Sequence, residues 1–578
     1  MRSRLALILT LCAGLLLVSG TAGAETTFTF YGSGWGHGIG MSQYGALGLA
    51  QNGWGANRII RHYYRGADVR EQNPPLNVFR IGLLQYRQVV NLNAVRGSFL
   101  LKLSNGTVIE RVGEGKSRRV VIRDGRYRIR RPNGTLVGRH AWGSASVHLR
   151  VFPVSGAVIG IPEWGHKVKR GSLEFRIVAS RDAHLVVRVA PELYLRGIGE
   201  VPSLWPAAAL GAQAIAARTY AYRIVRNLLS DSAAYQSKWA ACRCHLYGTP
   251  ADQNYTGWDK EADTYGDRWV NAVQSTAKRV VRHNGSLITT YYSSSSGGHT
   301  ENIEKVWTWV APQPYLKGVC DPREDETSNP NEFWRSGAMS GSTIAAALRN
   351  SGLGVGATVR LFTDFNRGVS GRVATVKVVG SARSRVVAGW TLRRVLGLRD
   401  TRFMVNANHN IVGRIRDRYD ALGCAPRRAA APQRAIDGGR FQAFQVGRLY
   451  LHAARDAVTW IRGPILSKYV AKSAHRGFLG LPYQWRSFDG GAGRRAWFDG
   501  GQILWKTNRA AAYEIHRPVL GHYLSAGGFS QFGYPITDVV NVDDGDGDPA
   551  TRTRRSVFDS GTITCVSTNA GSTWNCTS

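Results

Sequence analysis

The stretch YLRGIGEVPSLWPAAALGAQAIAARTYAYR, residues 194–223, decides the fold of this chain. It places one carboxylate, Glu200, shortly before a run of small residues that carries almost no charge. Pro206 is well placed as the first residue of a helix, because its fixed φ suits the helix and its missing N–H would be unpaired there. The Ala-rich sequence that follows predicts a helix that runs to about Arg226.

Two polar side chains share one face of this predicted helix. Gln213 and Tyr220 lie seven positions apart, which is close to two helical turns. The alanines around them leave room for other elements to approach closely. A polar stripe on a helix of small residues indicates the wall of a cleft.

The same stretch resembles the signature of the SpoIID/LytB family, in which Tyr-Leu, Glu-hydrophobic-Pro, Trp-Pro, Ala-Leu, Ala-Gln-Ala and Ala-Arg-Thr-Tyr follow one another. Two further blocks agree with that family: YGSGWGHGIGMSQYGALGLA at 31–50 and YYSSSSGGHTENIEKVW at 291–307. The matching residues of the first stretch are Tyr194, Leu195, Glu200, Pro202, Trp205, Pro206, Ala209, Leu210, Ala212, Gln213, Ala214, Ala217, Arg218, Thr219 and Tyr220.

Glu200 is the candidate catalytic residue. Its apolar neighbours Ile198, Val201, Leu204 and Trp205 would exclude water from the carboxyl group and raise its pKa. A raised pKa makes the group a usable acid near neutral pH. The competing interpretation is a solvated or salt-bridged carboxylate, which is the usual state of carboxylates in long proteins.

Glycoside hydrolysis normally needs two carboxylates, and the matching blocks indicate no second acid as a catalytic partner of Glu200. A lytic transglycosylase needs one, because the 6-hydroxyl of the substrate's own N-acetylmuramic acid (MurNAc) attacks the anomeric carbon and closes a 1,6-anhydro ring. Resemblance to SpoIID implies this reaction at the MurNAc-GlcNAc bonds of peptidoglycan glycan strands, preferentially strands stripped of stem peptides. Glu200 would first protonate the glycosidic oxygen and then accept the proton of the attacking hydroxyl.

Further residues of the three blocks are expected to orient the sugar. The glycine-rich segment would present His37 and Gln43, and its glycines would let a ligand or another backbone come close. A tight crossing inside the core is the alternative. The run Ser293–Ser296 offers the small donors and acceptors that a sugar site needs, and a flexible linker has a similar composition. The expected substrate-binding residues are Gln213, Arg218, Tyr220, Ser295, Ser296, Gly297, Gly298, His299, His37 and Gln43.

The order of the blocks differs from that of the family's sporulation members, in which the glycine-histidine block follows the glutamate block. In this chain it comes first. The N-terminal segment must then fold back beside the later blocks, which the closeness of domain termini makes tolerable. We therefore expect His37 to lie near Glu200.

Residues 1–24 have the pattern of a secretory signal. Arg2 and Arg4 precede the apolar run Leu5–Val18, and AGA at 22–24 is a small-residue cleavage site. An uncleaved membrane anchor is the alternative, but the apolar run is short for a membrane span. We expect a secreted protein of the cell envelope.

Cysteine usage fits export. Six of the seven cysteines remain after the signal is removed, an even number that is compatible with disulfides. Cys565 and Cys576 are the expected pair. The partners of the others stay open: Cys242, Cys244, Cys320 and Cys424.

The Cys-x-Cys-His cluster at 242–245 also invites a metal interpretation. Some relatives in the family hold a structural zinc around this loop, which makes zinc an implication of the resemblance. The spacing of the cluster matches no standard zinc pattern, and an oxidising compartment favours disulfides. We therefore expect no metal and no cofactor.

The chain is strongly basic, with 75 Lys and Arg against 39 Asp and Glu and a formal net charge of +36. A nucleic-acid partner is the usual first hypothesis for such a charge, but export and the lack of a nucleic-acid motif argue against it. Anionic cell-wall polymers and acidic membrane surfaces are the polyanions that an exported protein meets, and they would attract it in a salt-sensitive way. A bias in composition explains the charge equally well.

At 578 residues the chain exceeds the size of one core, so two to four domains are expected. The fold class is α+β, with a central SpoIID-like domain, a β-rich module before it and β-rich repeats after it. Short alternating runs broken by Asn-Gly and Asp-Gly turns predict the module. The predicted parts are the signal at 1–24, a Gly-rich segment packing on the SpoIID-like domain at 25–70, the β-rich module at 71–190, the catalytic domain at 191–423, a linker at 424–435 and the repeats at 436–578.

The last part of the chain repeats with a step of 54 residues. FQVG at 444–447 aligns with FDGG at 498–501, and FDSG at 558–561 opens a partial last copy. Such a period implies stacked supersecondary units. The pattern resembles LGFP repeats, which implies wall binding, because these repeats occur in wall-associated proteins of mycolic-acid-type bacteria.

Two rival functions stay open. LytB-type members of the family are regarded as modifiers that bind the wall and enhance an amidase without cutting glycan, and a cell-wall amidase would then be a partner. A structural wall-adhesion protein would instead work through the repeats and use the large domain as a scaffold. The Glu200 block favours an enzyme, a peptidoglycan lytic transglycosylase.

Overall fold

The computed structural model describes residues 25–138, 140–321, 323–324, 327–427, 429–542 and 551–578. The predicted signal sequence at 1–24 lies outside the described residues. Within them, no helix is both long and apolar enough to cross a membrane.

Helices and sheets are mixed along the chain, which makes the fold α+β. The helices are Gln43–Gln51, Ala56–Tyr63, Pro191–Arg196, Ala207–Ser230, Ser232–Cys242, Trp258–Glu261, Gly266–Ser275, Ile303–Val306, Gly341–Asn350, Gly389–Leu396, Gly413–Ala421, Gly463–Ala471, Val519–Ser525 and Phe529–Phe532.

Two sheets follow the N-terminal segment. The seven-stranded sheet has the order Leu246–Tyr247, Phe79–Arg87, Asp182–Val189, Ser172–Ala179, Leu149–Pro153, Phe99–Leu103 and Val108–Val112. The five-stranded sheet has the order Arg126–Arg130, Ser117–Arg123, Val89–Arg96, Val158–Ile161 and His166–Val168. Neighbouring strands are antiparallel except the short edge strand Leu246–Tyr247, which pairs parallel to Phe79–Arg87. This edge strand ties the later part of the chain to the sheet.

The helix Ala207–Ser230, called the central helix below, organises the core. It begins one residue later than predicted, because Pro206 has an extended ψ of 144° and occupies the N-cap, and it ends four residues beyond the predicted Arg226. Leu210 and Tyr222 join a core cluster with residues of both sheets. Ala212 and Ile215 instead pack in a second cluster with the N-terminal helices. Because many of its residues are small, other elements pack closely against the central helix on two sides.

The N-terminal segment crosses several parts of the chain. Thr27–Phe28 pairs with Met339–Ser340, and Met41–Ser42 runs parallel to Tyr292–Ser293. Asp68–Glu71 pairs with Arg279–His283. The N-terminal segment therefore folds back and lies beside the later blocks. A further three-stranded sheet has the order Trp334–Arg335, Phe30–Gly32 and Phe403–Val405.

Residues 341–405 add a smaller α+β unit with its own core. Helices Gly341–Asn350 and Gly389–Leu396 contact a three-stranded antiparallel sheet. The strands of this sheet are Val359–Arg367, Val373–Gly380 and Ser384–Ala388. The unit supplies Trp390 and Arg393 to the cleft described below.

In the described parts of the C-terminal region, 434–542 and 551–578, there are three four-stranded antiparallel sheets. Two core clusters join the sheets in sequence, the first and second through Tyr450 and Phe498, and the second and third through Ile515 and Phe558. The units therefore share cores with their neighbours, which is how a repeat buries a face that it cannot bury alone. Their strands are Arg434–Ile436, Gly439–Ala443, Arg448–His452 and Ala457–Ile461; Pro482–Phe488, Gly493–Phe498, Gly501–Lys506 and Tyr513–His516; and Val540–Val542, Arg552–Phe558, Gly561–Ser567 and Asn575–Thr577.

The stretch at 424–435 is packed at the described residues rather than extended as a free spacer. Cys424 and Ala429 are buried and share a core cluster with Phe444 of the first repeat. The N–H of Ala430 donates to the carbonyl of Ala443. The first repeat is thereby fixed to the preceding part of the chain.

Three disulfides bridge the six cysteines that follow the predicted signal. Cys565 pairs with Cys576, as the sequence predicts. Cys242 pairs with Cys244. The third disulfide, Cys320–Cys424, spans 104 residues and joins the packed stretch to the large domain.

Candidate functional site

A cleft of about 920 Å³ lies where the N-terminal segment, the central helix and the later blocks meet. We call it the Glu200 cleft. Its lining residues are Trp35, Gly36, His37, Gln43, Glu200, Tyr220, Pro250, Ala251, Asp252, Asn254, Tyr291, Tyr292, Ser293, Ser294, Trp307, Trp390 and Arg393.

Glu200 is held by the loop that contains Asp252 and Asn254. The backbone N–H of Asn254 donates to Oε1 of Glu200 at 2.7 Å, and the Asn254 side chain donates to the carbonyl of Gly199 at 3.0 Å. The hydroxyl of Tyr292 lies 3.5 Å from the same Glu200 oxygen. The carboxyl group is therefore fixed from two sides while it remains part of the cleft wall.

The environment of Glu200 raises the pKa of its carboxyl group above the ordinary value of 4.5. Burial is the main cause, because removal of water disfavours the charged form. Hydrogen bonds from Asn254, Gln43 and Tyr292 act in the opposite direction but do not outweigh burial. A carboxyl group that holds its proton to higher pH is suited to act as a general acid.

Asp252 is a second carboxylate in the cleft, and the sequence analysis gave it no chemical role. Its Oδ1 accepts a hydrogen bond from the Tyr220 hydroxyl at 3.2 Å. Its Oδ2 is 2.6 Å from Nζ of Lys238 and 2.7 Å from the backbone N of Tyr247. Both oxygens are engaged and the charge is paired, so Asp252 is poorly placed to activate a water molecule.

The glycine-rich segment passes very close to the later blocks. A Cβ atom on Gly36 would lie 2.5 Å from Cβ of Ser293. A Cβ atom on Gly38, whose φ is +68°, would lie 2.1 Å from the guanidinium carbon of Arg372. Glycine at these positions allows a backbone crossing that no side chain could enter. The segment therefore makes a tight crossing, and it also forms one wall of the cleft.

His37 and Glu200 line the same cleft. Nδ1 of His37 accepts a hydrogen bond from the N–H of Ile39 at 3.0 Å. Burial and the charges of Arg393 and Arg372 lower the pKa of His37 to about 3. Its ring is therefore neutral at physiological pH and is available as a hydrogen-bonding group rather than as a cation.

Gln43 links Glu200 to the central helix. Its side chain hydrogen-bonds Glu200, and its Nε2 donates to Oε1 of Gln213 at 3.4 Å. Gln213 itself is buried behind Gln43 and does not line the cleft. The structure thus places Gln213 as a support for Gln43 rather than against a bound sugar.

Tyr220 lines the cleft and holds Asp252, whereas Arg218 lies elsewhere. The Arg218 guanidinium is fully buried and binds Glu192 through two hydrogen bonds of 2.8 Å. It also donates to the carbonyl of Val273 at 3.0 Å. The expected contact between Arg218 and substrate is not present in this geometry, because the side chain points into the packing between the helices.

The serine-glycine block, residues 293–299, has an outer part that ends at Ser294 and an inner part that begins at Ser295. Ser293 and Ser294 line the cleft, but Ser295, Ser296, Gly297 and Gly298 are buried and His299 does not reach the cleft. This block turns inward because it satisfies buried charges.

A buried charge network fixes the inward part of the block. Arg372 forms a bidentate pair with Asp400 and donates to the carbonyls of Ser296 and His299 at 2.9 and 2.7 Å. Glu324 accepts from the N–H groups of Ser296 and Gly298, both at 2.8 Å. Composition alone does not distinguish such a network from a sugar site, since both need small donors and acceptors.

The remaining cleft wall is aromatic and positively charged. The rings of Tyr291 and Trp307 meet edge to face with centroids 4.9 Å apart, and Trp307 contacts Trp390 at 5.9 Å. Trp35 is about half exposed. Arg393 lies over the ring of Trp390, with its Cζ 4.9 Å from the centroid. Flat apolar rings beside polar groups are typical of ligand sites.

The Cys-x-Cys-His cluster forms a disulfide between Cys242 and Cys244. His245 is buried, and its Nδ1 accepts a hydrogen bond from the backbone N of Arg80. Across the residues that the structure describes, no group of three or more His, Cys, Asp or Glu is arranged to hold a metal ion.

Several cleft residues were missed by the sequence reasoning. Asp252 and Asn254 belong to a loop that resembles the family's Asp-Gln-x-Tyr-x-Gly loop, so a signal for them was present. Trp390 and Arg393 lie far along the chain from Glu200, in the stretch AGWTLRRVLGLRDTRFMV at 388–405, which resembles the family but received no functional role from the sequence. Only the fold brings these side chains to the cleft.

Two family models match parts of this chain. Residues 179–283, which include Glu200, Gln213, Tyr220 and Asp252, match the SpoIID family, described as stage II sporulation protein. Residues 429–477 match the LGFP repeat.

Three curated relatives share part of the chain. The amidase enhancer of Bacillus subtilis (strain 168) is 29% identical over 176 residues, which are 27% of this chain and 22% of that protein. Stage II sporulation protein D of the same organism is 33% identical over 143 residues, which are 24% of this chain and 40% of that protein. Stage II sporulation protein D of Bacillus amyloliquefaciens is 43% identical over 148 residues, with the same coverage of 24% and 40%.

The matched regions span less than half the length of these relatives. The match to the SpoIID family covers the part of the chain that carries the Glu200 loop and the central helix. This chain contains a SpoIID domain and, after it, an LGFP repeat.

Proposed function

We propose that this protein is an exported peptidoglycan lytic transglycosylase that cleaves MurNAc-GlcNAc bonds of glycan strands and forms 1,6-anhydroMurNAc ends. The SpoIID domain and the amidase-enhancer and sporulation relatives support a cell-wall-related role. The observation that carries the finer proposal is the position of Glu200, a carboxyl group with a raised pKa in the wall of an aromatic-lined cleft.

The cleft favours a saccharide over a peptide or nucleotide. Trp35, Trp307 and Trp390 offer flat apolar faces, on which the C–H faces of sugar rings can pack. Ser293 and Ser294 add small hydrogen-bonding groups beside them. The volume of about 920 Å³ suffices for several sugar rings.

Glu200 would carry both proton transfers of the reaction. Its carboxyl proton goes to the glycosidic oxygen as the bond from that oxygen to the anomeric carbon of MurNAc breaks. The 6-hydroxyl oxygen of the same MurNAc then bonds to the anomeric carbon, and its proton returns to Glu200. No water is consumed, and the enzyme ends in its starting protonation state.

Both carboxylate oxygens of Asp252 are occupied by hydrogen bonds, which supports a transglycosylase rather than a hydrolase. An inverting hydrolase needs a second carboxylate free to activate water, and a retaining one needs a free carboxylate nucleophile. Asp252 is bound by Tyr220, Lys238 and the backbone of Tyr247. Within the described residues, Glu200 and Asp252 are the carboxylates that line the cleft.

The LGFP repeat supports a location in the cell envelope or outside the cell, with the repeats bound to the wall. The net charge of +36 would add a salt-sensitive attraction to anionic cell-wall polymers. No nucleic acid, metal or cofactor is needed for the proposed reaction.

A second function has a specific observation in its favour. One relative is named amidase enhancer and is 29% identical over 176 residues. In that case this protein would bind the wall, stimulate a cell-wall amidase and leave the glycan uncut.

One experiment separates the two functions. Wild type and Glu200→Gln are incubated with peptide-free glycan strands, and each is also added to a cell-wall amidase acting on whole peptidoglycan. Release of soluble glycan by wild type alone supports the lytic transglycosylase. Equal stimulation of the amidase by both proteins, without release of glycan by either, supports the amidase enhancer.

A further inference from the structure

We infer that a second saccharide site, specific for sugars that carry a carboxylate, lies where the helix Gly413–Ala421 meets the first two repeats. We call it the Arg462 pocket. It has a volume of about 300 Å³ and contains Arg462, Trp460, Trp485, Tyr483 and Arg418. Neither its position nor its ligand follows from the Glu200 cleft.

Arg462 is stacked between two indole rings. Its guanidinium carbon lies 3.8 Å from the centroid of Trp460 and 4.7 Å from that of Trp485. Stacking uses the faces of the guanidinium and leaves the N–H groups at its edge. These N–H groups have the spacing of a carboxylate's two oxygens, which is the basis of bidentate recognition.

The N–H groups of Arg462 have no partner within the described part of the chain. Among the described residues the contacts of the Arg462 guanidinium are with the two indole rings, and neither it nor Arg418, which is exposed, has a hydrogen bond or an ion pair there. None of the lining residues is acidic. A buried or half-buried cation without a counter-ion is costly, so an anion would be favoured in this pocket.

The next repeat provides an internal comparison. At the repeat step of 54 residues, Trp460 and Arg462 correspond to Glu514 and His516. There Nδ1 of His516 lies 2.8 Å from a carboxylate oxygen of Glu514, and Lys472 and Asp538 complete the charge pairing. The second junction therefore supplies its own counter-ion, whereas the described residues that line the first junction include no acidic side chain.

The aromatic side chains identify the rest of the ligand. Trp485 and Tyr483 are partly exposed in the pocket, and one face of each ring is covered by a guanidinium, that of Arg462 or Arg455. The other faces would pack against sugar rings. A carboxylate on such a sugar would meet Arg462, and a neighbouring ring would reach Arg418. The muramic acid of peptide-free glycan has this chemistry, because its lactyl group ends in a carboxylate.

This inference goes beyond the proposed catalysis and does not depend on it, since the pocket is distant in sequence from Glu200 and acts by binding alone. Its test uses the full chain with Glu200→Gln, which keeps the glycan intact, and labels all 17 tryptophans with 5-fluorotryptophan. The ¹⁹F resonance of Trp485 is identified by its loss in Trp485→Phe. Two probes of equal length are titrated: a peptide-free GlcNAc-MurNAc tetrasaccharide and the neutral GlcNAc tetrasaccharide.

We expect the Trp485 resonance to move with the acidic tetrasaccharide and to stay in place with the neutral one. Arg462→Gln should weaken this binding by about tenfold or more, as is usual when a hydrogen bond to a charged group is lost. Arg418→Gln, at an exposed position that should not affect folding, should weaken it by a smaller factor. The matched control is Arg555→Gln, which removes the same charge from an exposed position of the third repeat and should leave binding unchanged.

Three results would overturn the inference. The first is a Trp485 resonance that responds to neither sugar. The second is an equal response to the neutral tetrasaccharide, which would remove the role of the carboxylate. The third is unchanged affinity in both Arg462→Gln and Arg418→Gln.

Discussion

The backbone N–H of Asn254 donates a 2.7 Å hydrogen bond to Oε1 of Glu200. The two residues belong to loops that are separated by the whole central helix, and the pairing of Gly199 with Asn254 holds these loops together. A carboxyl group that is both anchored and withdrawn from water keeps one geometry as its proton leaves and returns. This combination is what general acid and base catalysis by a single residue requires.

Replacing Glu200 by Gln should stabilise the fold in a pH-dependent way. Burial raises the pKa of Glu200, so the folded chain holds this proton to higher pH than the unfolded chain does. Wild type has its full stability below about pH 4.5, where Glu200 is protonated in both the folded and the unfolded chain. It loses stability as the pH rises through the raised pKa of the folded chain. Thermal unfolding of both proteins should therefore show equal stability at low pH and a growing advantage of Glu200→Gln toward neutral pH. A difference that does not change with pH would contradict the raised pKa.

Gln43→Ala should shift the pH dependence of glycan cleavage. The Gln43 hydrogen bond lowers the pKa of Glu200, so its removal raises that pKa further. The alkaline limb of the pH–rate profile, where the acid loses its proton, should move to higher pH. Gln51→Ala, at the exposed end of the same helix, is the matched control and should leave the profile unchanged. Identical profiles for all three proteins would mean that Gln43 does not act on Glu200.

Arg218→Ala should destabilise the fold because Arg218 is a packing residue of the central helix. The substitution removes the cation that pairs with Glu192 and the N–H groups that donate to the carbonyls of Val273 and Arg279. We expect a loss of about 2–4 kcal/mol in the free energy of unfolding, measured by urea denaturation. Arg226→Ala, two turns further along the same helix and exposed, should cost less than about 0.5 kcal/mol. A stable Arg218→Ala protein with weakened glycan binding would restore the role that the sequence suggested for this residue.

The disulfide Cys320–Cys424 should contribute far more stability than Cys242–Cys244. The first closes a loop of 104 residues, and the second spans 2. In the chain-entropy description a loop of about 100 residues corresponds to roughly 4–5 kcal/mol, and a very short loop to much less. Thermal unfolding of the two double Cys→Ala variants compares them directly. Equal losses would show that loop closure is not the source of the stabilisation.

The sequence allowed the central helix and Glu200 to be predicted because both are local features. Alanine content and Pro206 mark the start of the helix, and the apolar neighbours of Glu200 indicate burial. The error at the helix start has a simple reason. Proline suits both the N-cap and the first helical position, and only the backbone ψ separates the two.

The cleft as a whole could be predicted only in part, because most of its walls are formed by contacts between residues that are far apart in the sequence. The crossing of Gly36 with Ser293 and the arrival of Trp390 depend on strand pairing and on the core of residues 341–405. The serine-glycine block was the least predictable feature. Its inner half forms hydrogen bonds with Arg372 and Glu324. These partners lie outside the block and cannot be predicted from its sequence.

The central claim is tested most directly by the mass of the glycan ends that wild-type protein releases from peptide-free strands. Transglycosylation by Glu200 predicts fragments that end in 1,6-anhydroMurNAc, each one water lighter than a hydrolysis product. Glu200→Gln should release them at a rate lower by at least about a hundredfold, the scale expected for loss of a general acid. Fragments with reducing MurNAc ends, or anhydro ends released equally by wild type and Glu200→Gln, would contradict the claim.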